Sequence, residues 1–91
     1  MKTIFKYILK LVDGPQEVRT FFNSKVILVG EQGGSPIIWM EVDNTADITM
    51  TFYVVGTGHP IPKNSFHVGS YLSPPFVWHI YESLEEKIEG T

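Results

Sequence analysis

The sequence predicts an all-β fold: a small antiparallel β-sandwich or barrel of about six to seven strands, meander-like in order. Three observations predict it. Apolar residues alternate with period two over several runs, the spacing of a strand with one buried face. These runs arrive about every ten residues, separated by short turns rich in Gly, Pro and Asn. No segment sustains the 3.6-residue period of an amphipathic helix. At 91 residues and 43% hydrophobic content, the chain makes one β domain, residues 1–91.

Thr3 to Val12 opens the chain as a strand. Thr3, Phe5, Tyr7, Leu9 and Leu11 form the better-buried face, and Ile4, Lys6, Ile8, Lys10 and Val12 form the other. Asp13-Gly14-Pro15 is a turn. Glu17 to Phe22 is a second strand, closed by Asn23-Ser24, and Lys25 to Gln32 is a third. Gly33-Gly34-Ser35 supplies the positive φ of a hairpin turn. Pro36 to Val42 is the fourth strand, with Trp39 on its Ile37/Trp39/Glu41 face, and Asp43 to Ala46 is a turn. Asp47 to Val55, rich in β-branched and aromatic residues, is the fifth. A shaped loop, Gly56 to Ser65, leads to a sixth strand, Phe66 to Ser73. Ser73-Pro74-Pro75 turns the chain into a seventh, Phe76 to Tyr81. Residues 83–91 read as an acidic C-terminal tail or a short helical turn. Because sequential strands usually neighbour one another, a meander is the expected order.

Composition narrows the function classes. There is no cysteine, which excludes a disulfide scaffold and thiolate metal sites. The net charge of −3, with seven basic residues, argues against non-specific nucleic-acid binding. Lys6 and Lys10 interrupt the first apolar run, so the N-terminus does not read as a signal peptide. No run approaches the roughly 18 apolar residues of a membrane span. A soluble, intracellular protein is the expectation.

Four segments carry a resemblance. They are Lys2-Thr3-Ile4-Phe5-Lys6-Tyr7, Pro36-Ile37-Ile38-Trp39, Gly56-Thr57-Gly58-His59-Pro60-Ile61 and Phe76-Val77-Trp78-His79-Ile80-Tyr81-Glu82. In this order, over nearly the whole chain, they resemble small phage- and prophage-encoded proteins of uncharacterised function. The resemblance implies a viral or prophage origin and the cytoplasm of a bacterial host cell. It implies no activity, catalytic residue or ligand.

The Gly56–Ser65 loop holds most of the candidate chemistry. Successive backbone N–H groups at Gly56, Thr57 and Gly58 could cradle an anion, with the Thr57 hydroxyl, His59 and the Lys63 charge beside them. The plainer reading is a tight turn that needs two glycines. There is no P-loop spacing and no following helix. His59 is either an acid–base group or a ring that holds the loop closed. Asp43, Asp47, Thr57 and Ser65 are its only candidate partners for catalysis.

His67 and Tyr71 share a strand face with Val77, His79 and Tyr81 in one register of strands six and seven, and separate in the next. The sharp reading of the two histidines is a metal site completed by Asp43, Asp47 or Glu82; the plain one is hydrogen-bonded surface histidines. Trp39 and Trp78 are expected in the core. Tyr71 and Tyr81 remain candidates for stacking on a ligand ring.

No catalytic residue, metal or cofactor is assigned. The expected function is a non-enzymatic phage accessory binding protein, of the kind that counters host defence. Its ligand is a small anionic or nucleotide-like molecule held by Gly56, Thr57, Gly58, His59, Lys63, Tyr71 and Tyr81, or else a host protein. Homo-oligomerisation would suit so small a core. The alternatives are a histidine-based metal-dependent hydrolase and a purely structural or host-protein interaction module.

Overall fold

Two facing strands organise the molecule. In the computed structural model, which describes residues 1–85 and the backbone of Lys87–Ile88, β4 (Ser35–Asp43) and β5 (Asp47–Gly56) lie in different sheets. Sheet A has the order β1-β4-β3, with β1 spanning Lys2–Ile8 and β3 Lys25–Gln32. Sheet B has the order β2-β5-β7-β6, from β2 (Gln16–Phe21), β6 (Ser65–Ser73) and β7 (Phe76–Ser83). Lys87–Ile88 forms a short β8 paired with Ile48 and Thr49 of β5. All pairs are antiparallel. The result is a sandwich rather than a closed barrel. No helix among the described residues is long and apolar enough to cross a membrane.

Side-chain alternation builds the interior. Ile38, Met40 and Val42 of β4 join Ile48, Met50, Phe52 and Val54 of β5 in one core cluster with Ile80 of β7, Tyr71 of β6 and Val18 of β2. Each large aliphatic or aromatic side chain removed from water contributes about 1.5–3 kcal/mol before entropy is counted. Phe5 and Tyr7 extend the cluster along β1: the Phe5 ring sits 6.3 Å from Phe21, and the Tyr7 hydroxyl bonds Thr20 at 2.9 Å.

The strand order is not a simple meander. Consecutive strands pair only in β3–β4 and β6–β7. The β3–β4 hairpin is closed by Gly33 and Gly34, both at positive φ, as a two-residue turn between Gln32 and Ser35 requires. The chain changes sheets from β1 to β2, from β2 to β3 and from β4 to β5, covering both sides of the core, and stays within sheet B from β5 onward. The first strand shows the effect. Its alternation continues to Val12, yet pairing ends at Ile8. Leu9 turns into the core, and the side-chain amide of Gln16 bonds both the N–H and the carbonyl of Lys10. Within the expected acidic tail or helical turn of residues 83–91, Ser83 ends β7 and Lys87–Ile88 is strand, while 86 and 89–91 lie outside the described residues.

Trp78 packs against the core as expected, but Trp39 does not. Trp39 lies between Ile38 and Met40 on β4 and so faces away from the interior, over Gly30 of β3. Both faces of β4 are apolar, so alternation could not say which was inside. The outer face of sheet A thereby carries Trp39 together with exposed Ile4, Ile8 and Leu28.

A bulge in β6 is the other departure. His67 pairs with Tyr81 and Gly69 with Ile80, leaving Val68 as an extra residue. Val68 and Gly69 both turn inward: Val68 packs on the core, and a Cβ on Gly69 would lie 2.5 Å from Val29 Cγ2. Only glycine fits where β6 meets β3 at this edge. Gly69→Ala should therefore lower stability by about 1–3 kcal/mol through overpacking. Urea denaturation of Gly69→Ala in the wild-type and Val29→Ala backgrounds checks this, with the smaller loss expected where the valine has been shortened.

Candidate functional site

The Gly56–Ser65 loop is a crossover. β5 and β6 both run antiparallel to the intervening β7, so they are parallel to each other. Gly56 pairs with Trp78 at one end of β7, and Ser65 with Ser83 at the other. The eight residues 57–64 must therefore travel back about 17 Å along the strands and about 10 Å across them. Pro60 and Pro62 suit that extended path because their φ is already set.

A turn launches the crossover. His59 N–H donates to the Gly56 carbonyl at 3.1 Å, and Gly58 has φ +88°, as the third residue of a type II turn requires. Gly56 itself solves a packing problem. A Cβ there would lie 3.1 Å from Trp78 and 3.5 Å from the His59 ring, so its absence lets the two rings close over the strand end.

The rings border an open cleft of about 440 Å³, lined by Gly56, Thr57, His59, Pro75, Phe76, Val77 and Trp78. Phe76 and Trp78 stand 5.7 Å apart, tilted by 35°. A second cleft of about 350 Å³ shares Gly56, His59 and Trp78 and continues to Leu11, Val12, Asp13 and Val54. The lining is apolar and aromatic, with His59 and Asp13 as its titratable groups.

A hydrogen-bonded chain lies on the outer face of sheet B. His67 Nε2 is 2.7 Å from Ser70 Oγ, and Ser70 Oγ is 2.7 Å from His79 Nδ1. His79 Nε2 is 3.0 Å from Thr57 Oγ1, which in turn lies 3.4 Å from the Val77 carbonyl. The β6 bulge makes this possible: with Val68 and Gly69 both inward, His67 and Ser70 reach the same outer face. With both imidazoles neutral, one proton arrangement makes every bond. The Val77 carbonyl can only accept, so Thr57 O–H donates to it. Thr57 Oγ1 then accepts from His79 Nε2–H. His79 Nδ1 accepts from Ser70 O–H, and Ser70 Oγ accepts from His67 Nε2–H. His67 also meets Tyr81 edge-on at 5.5 Å.

The seven ligand-binding candidates do not converge on one point. Gly56, Thr57 and His59 line the cleft, while the Thr57 hydroxyl also reaches the outer face. Gly58 is the exposed tip of the turn that the His59 N–H closes on the Gly56 carbonyl. Lys63 is exposed on the crossover and lines neither cleft. Tyr71 and Tyr81 fall on opposite faces of sheet B. Tyr71 pairs with Trp78 inside the sandwich, where burial, reinforced by the Glu31 carboxylate, raises its hydroxyl above the usual tyrosine range.

The metal reading loses its carboxylate. His67 and His79 do come together, but Asp43 binds the N-terminal ammonium at 2.9 Å and Asp47 lies 4.0 Å from Arg19. Glu82 pairs with Phe52 on the buried side of sheet B. Among the described residues, no group of three His, Cys, Asp or Glu could hold a metal ion. Nor do the partners considered for His59 meet it in a catalytic arrangement. Ser65 Oγ donates to the Pro62 carbonyl, and the Thr57 hydroxyl serves His79 instead. Sequence reasoning missed Ser70, Leu11, Val12, Asp13 and Phe76. Gly69 inside a strand pattern was the one signal for the bulge that places Ser70.

The proton arrangement predicts that His79 holds its proton on Nε2 when neutral. Nitrogen shifts of the ring at alkaline pH read this directly. Thr57→Val should redistribute the proton between Nε2 and Nδ1 and cost about 1 kcal/mol of stability; an unchanged tautomer would contradict the assignment.

No curated protein and no solved structure matches the chain significantly. A family model does match, over residues 1–91, and the chain belongs to that family, DUF7352, a domain of unknown function.

Proposed function

We propose that this protein is a non-enzymatic binding protein whose ligand lies in the cleft under the Gly56–His59 turn. The observation that carries the reading is the aromatic wall of Trp78 and Phe76 beside that turn, in a concave site large enough for one flat ring system. Stacking on such a wall favours a nucleobase or a similar heterocycle. His59 stands at the rim and can bond a phosphate or a ring edge. Lys63 lines neither cleft and Asp13 lines the second, so recognition rests on the ring more than on charge. This supports a nucleotide-like ligand over a simple inorganic anion. In the setting that the phage resemblance implies, the cytoplasm of an infected bacterium, such a protein sequesters a nucleotide-derived signal of host defence.

A Trp39→Phe variant leaves Trp78 as the sole tryptophan and keeps the cleft intact. Its fluorescence, with thermal melts, is followed against a panel of cyclic nucleotides and ADP-ribose derivatives. Binding should change Trp78 emission and raise Tm, and His59→Ala should weaken it about tenfold. No response to any member of the panel would sink the nucleotide reading.

A second reading has its own observation. The outer face of sheet A presents Ile4, Ile8, Leu28 and Trp39, with Lys2, Lys6 and Lys25 around them and Glu41 and Asp43 facing the same way, Glu41 lying 3.6 Å from Lys2. Exposed aliphatics inside a rim of mixed charge suit a host-protein partner. Pull-downs from bacterial lysate with wild type and Leu28→Glu test it. A stoichiometric partner lost from the variant is the expected result; recovery equal in both would remove the face from consideration.

A further inference from the structure

We infer that Ser70 is a nucleophilic serine, able to take an acyl or phosphonyl group from an activated ester or fluoride, with His79 as its base and Thr57 as the residue that positions His79. This goes beyond the cleft reading and does not rest on it.

The geometry is that of a nucleophile, a base and an orienting group in line. Ser70 Oγ lies 2.7 Å from His79 Nδ1, and the other nitrogen of the same ring lies 3.0 Å from Thr57 Oγ1. The proton arrangement deduced above directs the Ser70 proton at the His79 lone pair. A serine is a weak nucleophile until a base within hydrogen-bond reach accepts that proton. Thr57 keeps the ring turned correctly, because its own proton is directed to the Val77 carbonyl. His67 completes the arrangement from the far side. Its Nε2–H, 2.7 Å from Ser70 Oγ, fixes the hydroxyl so that the Ser70 proton stays directed at His79.

Ser70 is also reachable. It is exposed, as are Thr57 and His67. Thr57 and Val77, which anchor the relay, also line the cleft beside Phe76 and Trp78. Three of the residues stand on paired strands, where β6 and β7 hold Ser70 opposite His79. The β6 bulge and the β5–β6 crossover supply the other two contacts. None of these contacts needs a partner chain.

The step balances without a cofactor. Ser70 Oγ bonds to the carbonyl carbon or phosphorus, its proton passes to His79 Nδ1, and the leaving group departs with its electron pair. With a fluorophosphonate the new bond is O–P, the broken bond is P–F, and fluoride leaves. The imidazolium then returns its proton to solvent.

The test uses the full chain and an alkyl fluorophosphonate, read by intact mass and peptide mapping. One adduct on Ser70 is expected, absent from Ser70→Ala. Labelling should slow about 100-fold in His79→Gln and several-fold in Thr57→Val, with Thr57→Ser restoring it. Far-UV circular dichroism and melts establish that each variant is folded, and only folded variants are compared. The rescue by Thr57→Ser distinguishes positioning from general support of the loop. No adduct at Ser70, adducts spread evenly over the other serines, or wild-type labelling of folded His79→Gln would each overturn the inference.

Discussion

The facing of β4 against β5 is the constraint on which the rest depends. These two strands are interior to their sheets, and their inward residues supply most of the core, from Ile38, Met40 and Val42 to Ile48, Met50, Phe52 and Val54. A chain of this length has little surplus burial. With the two strands committed to each other, the remaining strands take places beside them or, as β6 does on β7, beside one of their neighbours. β1 and β3 flank β4; β2 and β7 flank β5. The order that results is not sequential, and the connections must change sheets or cross over.

The candidate site is a product of that topology. Placing β7 between β5 and β6 makes the two flanking strands parallel, which forces residues 57–64 into a crossover that begins with the Gly56–His59 turn. The same placement sets Ser70 opposite His79. The contact of Val29 with Gly69 at the sandwich edge then requires a glycine, and the bulge it accompanies brings His67 alongside. Core packing on one side of sheet B thus decides which polar groups meet on the other.

Two features of the site pull in different chemical directions. Toward the end of the sandwich, His59 and Trp78 border an apolar cleft suited to a ring. On the sheet face, Ser70 sits between two imidazoles whose protons are directed along one path. Thr57 belongs to both, since it lines the cleft and bonds His79. The glycines around it serve the shape of the loop: Gly56 admits the two rings, and Gly58 permits the turn. The metal alternative is weaker than its histidine count suggests, because Asp43, Asp47 and Glu82 all point elsewhere.

The amino-acid sequence by itself determined the fold class and the position of nearly every strand, because period-two alternation and Gly, Pro and Asn turns are local signals. Asp47 to Val55 is legible as a strand from its β-branched residues alone, and Gly33-Gly34 as a hairpin from its glycines. The sequence also marked Gly56–Ser65 as a shaped loop. Tertiary structure decided what local patterns leave open. Trp39 faces outward because β4 is apolar on both sides, and only the opposing sheet selects one. Strand one stops at Ile8, short of where its alternation ends, and the backbone of Lys10 bonds the Gln16 side chain instead of β4. Tyr71 and Tyr81 part, and His67 joins Ser70 and His79, because one extra residue at Val68–Gly69 reverses the alternation of half a strand. Such a bulge leaves only an isolated glycine in the sequence, and its reason, the side chain of Val29, comes from another sheet.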